Sequence, residues 1–316
     1  MAERKIITVF GATGAQGGGL VRAICADPAG GFAARAVTRD VNSQKAKALA
    51  ALGAEVVAAN VDDEASIRRA LEGAYGAYFV TFFWDHFSAE KEIAEARSMA
   101  SAAQAAGLRH AIWSTLEDVR TYVPLSDPSM PNLHGKYKVP HFDGKGEADA
   151  FFRESGVPTT YLHASFYWEN LIYFGAGPKR FPDGKLYFTL CTGDAKMAGV
   201  GAEDIGRFAY GIFKAGGTYV GKKVGVAGEH LTGAQMAAAM TRALGEEVRY
   251  NSLTPDAYRA LGFPGADELG NMFQFYRDFE GPLNQLRDVG LSRALDPQLQ
   301  SFDAWLAANA KKIPLA

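Results

Sequence analysis

Three glycines at intervals of three residues, Gly11, Gly14 and Gly17, follow directly on the apolar run Ile6-Ile7-Thr8-Val9-Phe10. An apolar run of that length bounded by glycine reads as a fully buried strand, and Leu20 to Ala26 beyond the loop continues as a helix. A strand passing through a glycine-rich turn into a helix constrains the fold more than any other feature of the chain. The first glycine permits the tight turn, the second lets the backbone approach a pyrophosphate, and the third lets the helix lie close to the strand. N–H groups at the helix start then face the phosphates. Gly11, Ala12, Thr13, Gly14, Ala15, Gln16 and Gly17 are therefore expected to bind a dinucleotide.

The same alternation runs through the first half of the chain. Strands are predicted at 34–38, 55–59, 78–81, 111–114 and 159–163, with helices at 44–52, 64–71, 89–106 and 144–154. Short strands interleaved with helices require parallel pairing and right-handed crossovers. The expected fold class is α/β, a Rossmann-type doubly wound parallel sheet. Pro124, Pro128, Pro131 and Pro140 break the rhythm and mark 120–140 as an irregular loop at the cofactor mouth. Beyond Ser165 glycines and prolines punctuate short strands, with helices predicted at 203–214, 233–243, 255–260 and 298–309. The Rossmann domain is placed at 1–156, with later segments returning to its sheet. A smaller mixed α/β domain for a substrate or partner is placed at 157–316.

The end of the second strand selects the cofactor. An Asp or Glu there would hold a free ribose 2′-hydroxyl. This strand ends Val37-Thr38-Arg39, so Thr38 stands where the acid would be, and the planar donor fork of Arg39 suits a 2′-phosphate. Lys45 adds a second positive charge. The expected cofactor is NADP(H).

Composition excludes several other classes. With a net charge of −2 and scattered Lys and Arg, the chain lacks the basic face of a nucleic-acid reader. Its two cysteines, Cys25 and Cys191, make no disulfide framework and suit a reducing compartment. Glu3, Arg4 and Lys5 interrupt the N-terminus too early for a signal peptide, and no stretch of about 18 apolar residues would span a membrane. A cytoplasmic location is expected. The histidines show no ligand spacing with Asp, Glu or Cys, so no metal is expected, and no Gly-x-Ser-x-Gly motif points to a hydrolase.

A short-chain dehydrogenase moves a proton through the tyrosine of Tyr-x-x-x-Lys, with a serine at the end of the fifth strand orienting the carbonyl. Ser114 occupies the serine's place, and His141-Phe-Asp-Gly-Lys145 keeps the lysine with histidine in the tyrosine's place. His141, Lys145 and Ser114 are the candidate catalytic set, since imidazole passes protons near neutral pH. His141 reads equally as a packing or capping residue at a helix start. The pairs Tyr210/Lys214 and Tyr219/Lys223 lie too far downstream to serve. Aromatic residues gather at Phe79–Phe87 and at Phe166–Phe174, some as core and the rest as walls of an apolar pocket.

The glycine loop, the Val37-Thr38-Arg39 strand end, His141-Phe-Asp-Gly-Lys-Gly-Glu147, Phe166-Tyr-Trp-Glu-Asn170, Leu261-Gly-Phe-Pro-Gly-Ala266 and Asn271-Met-Phe273 together resemble the NmrA-like branch of atypical short-chain dehydrogenase/reductases, its redox-sensor members in particular. The likeness covers nearly the whole chain. It implies NADP(H) binding, frequent loss of dehydrogenase activity, and a report of cofactor state to a regulatory protein partner, with a homodimer as the assembly. It also implies that Asn60 and Val61 flank the adenine and that Thr81, Phe82 and Phe83 line the approach to the nicotinamide ribose. Lys145 would bond that ribose, and Tyr167, Trp168, Glu169 and Asn170 would close over the nicotinamide. Two functions stay open: a sensor that a protein reads, and an NADPH-dependent reductase of a small apolar carbonyl or enone substrate.

Overall fold

In the computed structural model, which describes residues 4–315, Lys5–Val9 forms β1 and the glycine loop leads into α1, Ala15–Ala26. The alternation continues through β2 (Phe32–Thr38), α2 (Gln44–Ala51), β3 (Glu55–Ala58), α3 (Glu64–Leu71), β4 (Gly76–Phe79), α4 (Ala89–Ala105), β5 (His110–Thr115), α5 (Pro140–Glu154) and β6 (Thr159–His163). Asp63 and Ser88 start α3 and α4 by accepting from the N–H groups of Ala65 and Lys91, which satisfies donors that a helix start leaves unpaired. β4 and β5 are buried along their whole length, as strands covered on both faces must be.

The chain then runs through β7 (Phe166–Tyr167), α6 (Asn170–Tyr173), β8 (Lys179–Arg180), β9 (Leu186–Leu190), β10 (Met197–Val200), α7 (Ala202–Lys214) and β11 (Lys223–Gly225). It ends with β12 (Glu229–Leu231), α8 (Gly233–Leu244), β13 (Val248–Ser252), α9 (Pro255–Arg259), α10 (Ala266–Asp278), α11 (Glu280–Leu286), α12 (Val289–Leu295) and α13 (Phe302–Asn309). Two compact units result. One takes the chain up to 118 with 141–164 and 203–224; the other takes 119–140, 165–202 and the chain from 225 on. The units interleave along the sequence rather than meeting at 156/157.

In the first unit the sheet runs β11-β6-β5-β4-β1-β2-β3. β3, β2, β1, β4, β5 and β6 pair in parallel, with Ile7 opposite Ala34 and Thr115 opposite His163. This is the doubly wound arrangement, and its strand order reverses between β1 and β4, where such sheets open a crevice beyond their carboxyl ends. α1 and α7 touch backbone to backbone: a Cβ on Gly19 would lie 2.5 Å from the Glu203 carbonyl oxygen. Tyr210 and Lys214 of α7 turn to Asp27, which accepts from the Tyr210 hydroxyl at 2.9 Å. Asp27 is the C-cap of α1, so this Tyr-x-x-x-Lys pair stands at the far end of that helix from the glycine loop.

The second unit holds two three-stranded sheets, β12-β10-β7 and β13-β9-β8, each with one parallel and one antiparallel pairing. The 120–140 segment belongs to this unit and is tied to it. Asn271 of α10 donates to the carbonyls of Pro131 at 3.0 Å and Lys138 at 2.6 Å, and Gln274 donates to Ser129 at 2.8 Å. The Lys138 ammonium, wholly buried, caps the carbonyls of Asp127 and Met130.

Candidate functional site

Gly11 has φ +65°, and a Cβ there would lie 2.8 Å from Val80 Cγ1. Gly17 touches the turn itself, since its Cβ would lie 2.5 Å from the Gly11 carbonyl oxygen and 2.9 Å from that of Phe10. The Gly14 N–H closes the turn on Gly11 O at 2.9 Å. Gly14 is the N-cap of α1; no side chain caps this end and no acidic residue lies in its first turn. The first N–H groups of a helix have no intrahelical partner and carry the positive end of its dipole, so this entrance suits an anion.

Gln16 does not face outward with the loop. It shares the buried face of α1 with Leu20 and Ile24, and its Oε1 accepts from the hydroxyls of Tyr78 and, at 2.8 Å, Ser114. Ser114 is 2 % exposed. The serine expected to orient a carbonyl thus spends its proton on the glycine loop's own glutamine. Burial pushes the Tyr78 phenol upward, so Tyr78 stays a neutral donor.

Arg39 lies just past β2 and bonds Asp85 at 3.1 Å, with both side chains more than half exposed. Asp40 turns away to the Asn42 N–H. Thr38 bonds the backbone of Asp40 in a local turn, and Lys45 lies exposed on α2. An exposed ion pair is worth about 0–1 kcal/mol, so a phosphate dianion could displace Asp85 at little cost. Asn60 accepts from the Asp62 N–H, and Val61 is half-buried beside the core cluster under β3 and β4.

Thr81 and Lys145 meet directly. Lys145 Nζ donates to Thr81 Oγ1 at 2.6 Å and Thr81 O at 3.1 Å, and pairs with Glu92 Oε1 at 2.7 Å. The Thr81 hydroxyl donates to the same carboxylate oxygen at 2.8 Å. Glycines make this reach possible. A Cβ on Gly144 would stand 3.2 Å from Ala89 Cβ, and one on Gly146 would stand 2.8 Å from Asp118 Cα. α5 therefore lies against the start of α4 and the segment after β5. His141, one turn earlier, packs its ring among Trp84, Phe83 and Phe142 at centroid distances of 5.0, 5.7 and 4.8 Å. Phe83 is buried, whereas Phe82 is 56 % exposed.

Tyr167, Trp168, Glu169 and Asn170 lie in the second unit. Trp168 is 1 % exposed and packs on Phe302 and Trp305. Glu169 has both oxygens occupied, one by the Ala202 N–H at 2.8 Å and one by the Trp305 indole N–H at 2.9 Å. Tyr167 is half-buried on β7, and Asn170 opens α6.

Sequence reasoning missed Glu92, Asp85 and Asp149. Asp149 accepts from the Trp113 indole at 3.0 Å and the Thr115 hydroxyl at 2.6 Å, and burial holds its carboxyl above the usual range. A signal for Glu92 existed: it falls on the stripe Ala89, Ala96, Met99, Ala103 of α4, where a buried acid demands a partner. Among the described residues no group of His, Cys, Asp and Glu could hold a metal ion. Nor is any described helix long and apolar enough to cross a membrane.

A model of the NmrA-like family matches residues 3–306. An NmrA-like domain-containing oxidoreductase, FrzB of a Cladobotryum species, is 27 % identical over 293 residues, covering 85 % of this chain and 83 % of its own. Among solved structures, the negative transcriptional regulator NmrA superposes with TM-score 0.78 at 24 % identity, over 98 % of this chain and 96 % of its own. NmrA has also been seen in complex with NADP and with NAD. The triphenylmethane reductase of a Citrobacter species, in complex with NADP(H), superposes with TM-score 0.75 at 16 % identity, over 97 % of this chain and all of its own. Likenesses at these identities establish the fold.

Proposed function

The chain belongs to the NmrA-like family, and on that premise we propose that it binds NADP(H) and signals the cofactor's presence or redox state to a regulatory protein partner. The observation that carries the cofactor reading is Arg39. It is a largely exposed guanidinium at the carboxyl end of β2, in an ion pair weak enough to exchange, where an NAD-specific site would carry an acid. Gly11 to Gly17 and the uncapped start of α1 supply the pyrophosphate cradle. Lys145 would meet the nicotinamide ribose by exchanging its long bond to the Thr81 carbonyl for one to a ribose hydroxyl. A homodimer is the assembly proposed with this reading.

The regulatory reading is favoured because the acid–base set is already committed. Ser114 bonds Gln16, Lys145 bonds Glu92 and Thr81, and His141 packs among aromatic rings. A cofactor can shift a conformation only through different affinity for two states, so NADP⁺ and NADPH, or bound and free chain, must differ in what they stabilise. The curated relative named an oxidoreductase supports a second reading, NADPH-dependent reduction of a small apolar carbonyl or enone with Lys145, His141 and Ser114.

Calorimetry with NADP⁺, NADPH, NAD⁺ and NADH tests the cofactor. The phosphorylated pair should bind at least tenfold tighter, and Arg39→Ala should remove most of that margin, a charge-assisted contact to phosphate being worth about 1.5–3 kcal/mol. Equal or preferred binding of NAD(H) would refute the reading. Steady NADPH consumption over a carbonyl panel, abolished in Lys145→Ala, would move the function to the reductase.

A further inference from the structure

Glu92 lies on the apolar stripe of α4, wholly buried, and its Oε2 has no hydrogen-bond partner among the described residues. A carboxylate taken out of water is kept where it is paired and hydrogen-bonded. Oε1 meets that condition twice, with the Lys145 ammonium and the Thr81 hydroxyl. Lys145 has three protons to donate, and three acceptors surround it: Glu92 Oε1 at 2.7 Å, Thr81 Oγ1 at 2.6 Å and Thr81 O at 3.1 Å. Its own chain therefore saturates the ammonium. A ligand hydroxyl must replace one of the three. The neutral carbonyl at 3.1 Å is the longest contact, and the charge-assisted bond to Glu92 is the one that persists.

We propose that Glu92 is a positioning residue for Lys145. It anchors the ammonium, carried on a long flexible side chain, at the place where the nicotinamide ribose of NADP(H) bonds it, and its second oxygen accepts the proton of that ribose hydroxyl. This rests on the NADP(H) reading above. A hydroxyl donates and accepts at once, and a carboxylate beside an ammonium is the complementary pair. Thr81 forms the third corner, two residues past β4 at the carboxyl edge where the strand order reverses. The close approach of α5 to Ala89 through Gly144 brings Lys145 within reach of an acid on a different helix. The class of group read here is a polyol, the second ribose of the dinucleotide. The adenine half of the ligand has no part in it.

The test compares NADPH with adenosine 2′,5′-bisphosphate, which carries the adenine half and lacks the second ribose. Both are titrated calorimetrically into the full chain as wild type, Glu92→Gln, Lys145→Met and the double variant. Glu92→Gln should weaken NADPH on the order of tenfold and leave the bisphosphate within about twofold. Lys145→Met should do the same, and the double variant should be no weaker than Lys145→Met alone, because the two act as one unit. Lys145→Met leaves a buried carboxylate uncompensated and could fail to fold; the double variant, neutral on both sides, then carries the comparison. NADPH binding unchanged in Glu92→Gln would overturn the proposal. Equal weakening of both ligands would also overturn it, since that is what a packing role produces. A wild-type chain that binds neither ligand would bring down the cofactor reading and this proposal with it, a result distinct from either pattern.

Discussion

Glu95 stands on α4 one turn beyond Glu92, 7 % exposed, facing His86 Nε2 at 3.7 Å. Burial, with repulsion from Asp62 and Glu92, pushes its carboxyl up to about 7 from an ordinary 4.5, while Lys91 and Lys145 pull the other way. Burial also holds the His86 imidazole below its usual range, so at neutral pH no cation on that ring relieves the carboxylate. Between pH 4.5 and about 7 the folded chain keeps a proton that the unfolded chain has released. Stability therefore falls as pH rises through that window and levels off above it, by about 3 kcal/mol at most. Glu95→Gln keeps the shape and removes the titration. It should exceed wild type by about 1–3 kcal/mol at pH 8 and lose most of that advantage at pH 5, read by urea unfolding of both proteins. Parallel stability profiles for the two would contradict the assignment. The same helix shows what one residue discloses in a sequence: Glu92 and Glu95 interrupt an apolar stripe visible by eye, yet the ammonium that makes Glu92 tolerable, Lys145, cannot be read from spacing. The orientation of Gln16 was there to be read, although the loop motif assigned it to the dinucleotide. The residue precedes Leu20 by four and Ile24 by eight residues on a helix, which turns it inward whatever the motif around it suggests.

At the scale of elements, the glycine loop is a packing device as well as a binding one. Gly17 has no room for a Cβ because two backbone carbonyls of the turn lie within 2.9 Å of where it would stand, and backbone cannot yield as a flexible side chain can. Gly17→Ala should cost about 1–3 kcal/mol of stability through overpacking, measured by thermal or denaturant unfolding with no nucleotide present. A loss appearing only in nucleotide affinity, with unfolding unchanged, would show that the glycine is kept for the ligand alone. Strands and helices of the first unit were legible because their apolar periods are regular and their caps are explicit. α3 begins and ends as expected at Glu64 and Leu71, and β4 is displaced toward Gly76. α10 was not legible. Its buried residues run without a break from Gly270 to Tyr276 and mix Asn271 and Gln274 with Met272, Phe273 and Phe275, so no one-sided apolar period marks the helix. α13 starts at Phe302 and not at 298, where Ser301 supplies the cap by accepting from Ala304 N–H.

Across the whole molecule, two units share one chain by exchanging segments, and a proline-rich stretch read as a loop turns out to be a structural component of the second. Its prolines predicted irregular backbone correctly, but irregular backbone still has donors and acceptors to satisfy when buried. Asn271 supplies two of those bonds from a position 133 and 140 residues away in sequence, a separation that no local pattern encodes. Arg259 in turn holds the Asn271 and Gln274 side-chain oxygens at 2.9 Å each. Asn271→Ala would take the donor from the buried Lys138 carbonyl and from the more exposed Pro131 carbonyl and leave Arg259 with a weaker clamp, a loss of about 1–3 kcal/mol by the cost of one unsatisfied buried group. Arg22→Ala, which removes an ion pair with Glu203 inside the first unit, is the control and should cost under about 1 kcal/mol. Hydrogen exchange locates the effect: amides of 119–140 should lose protection in Asn271→Ala while those of β1, β4 and β5 keep theirs. Protection lost evenly over both units would mean that the chain unfolds as one body and that the clamp has no local consequence. On the proposed NADP(H) reading, 119–140 should also exchange at the same rate with and without NADPH, and the change on binding should fall on the segment carrying Phe82 to Phe87, whose Asp85 would release Arg39 to a 2′-phosphate.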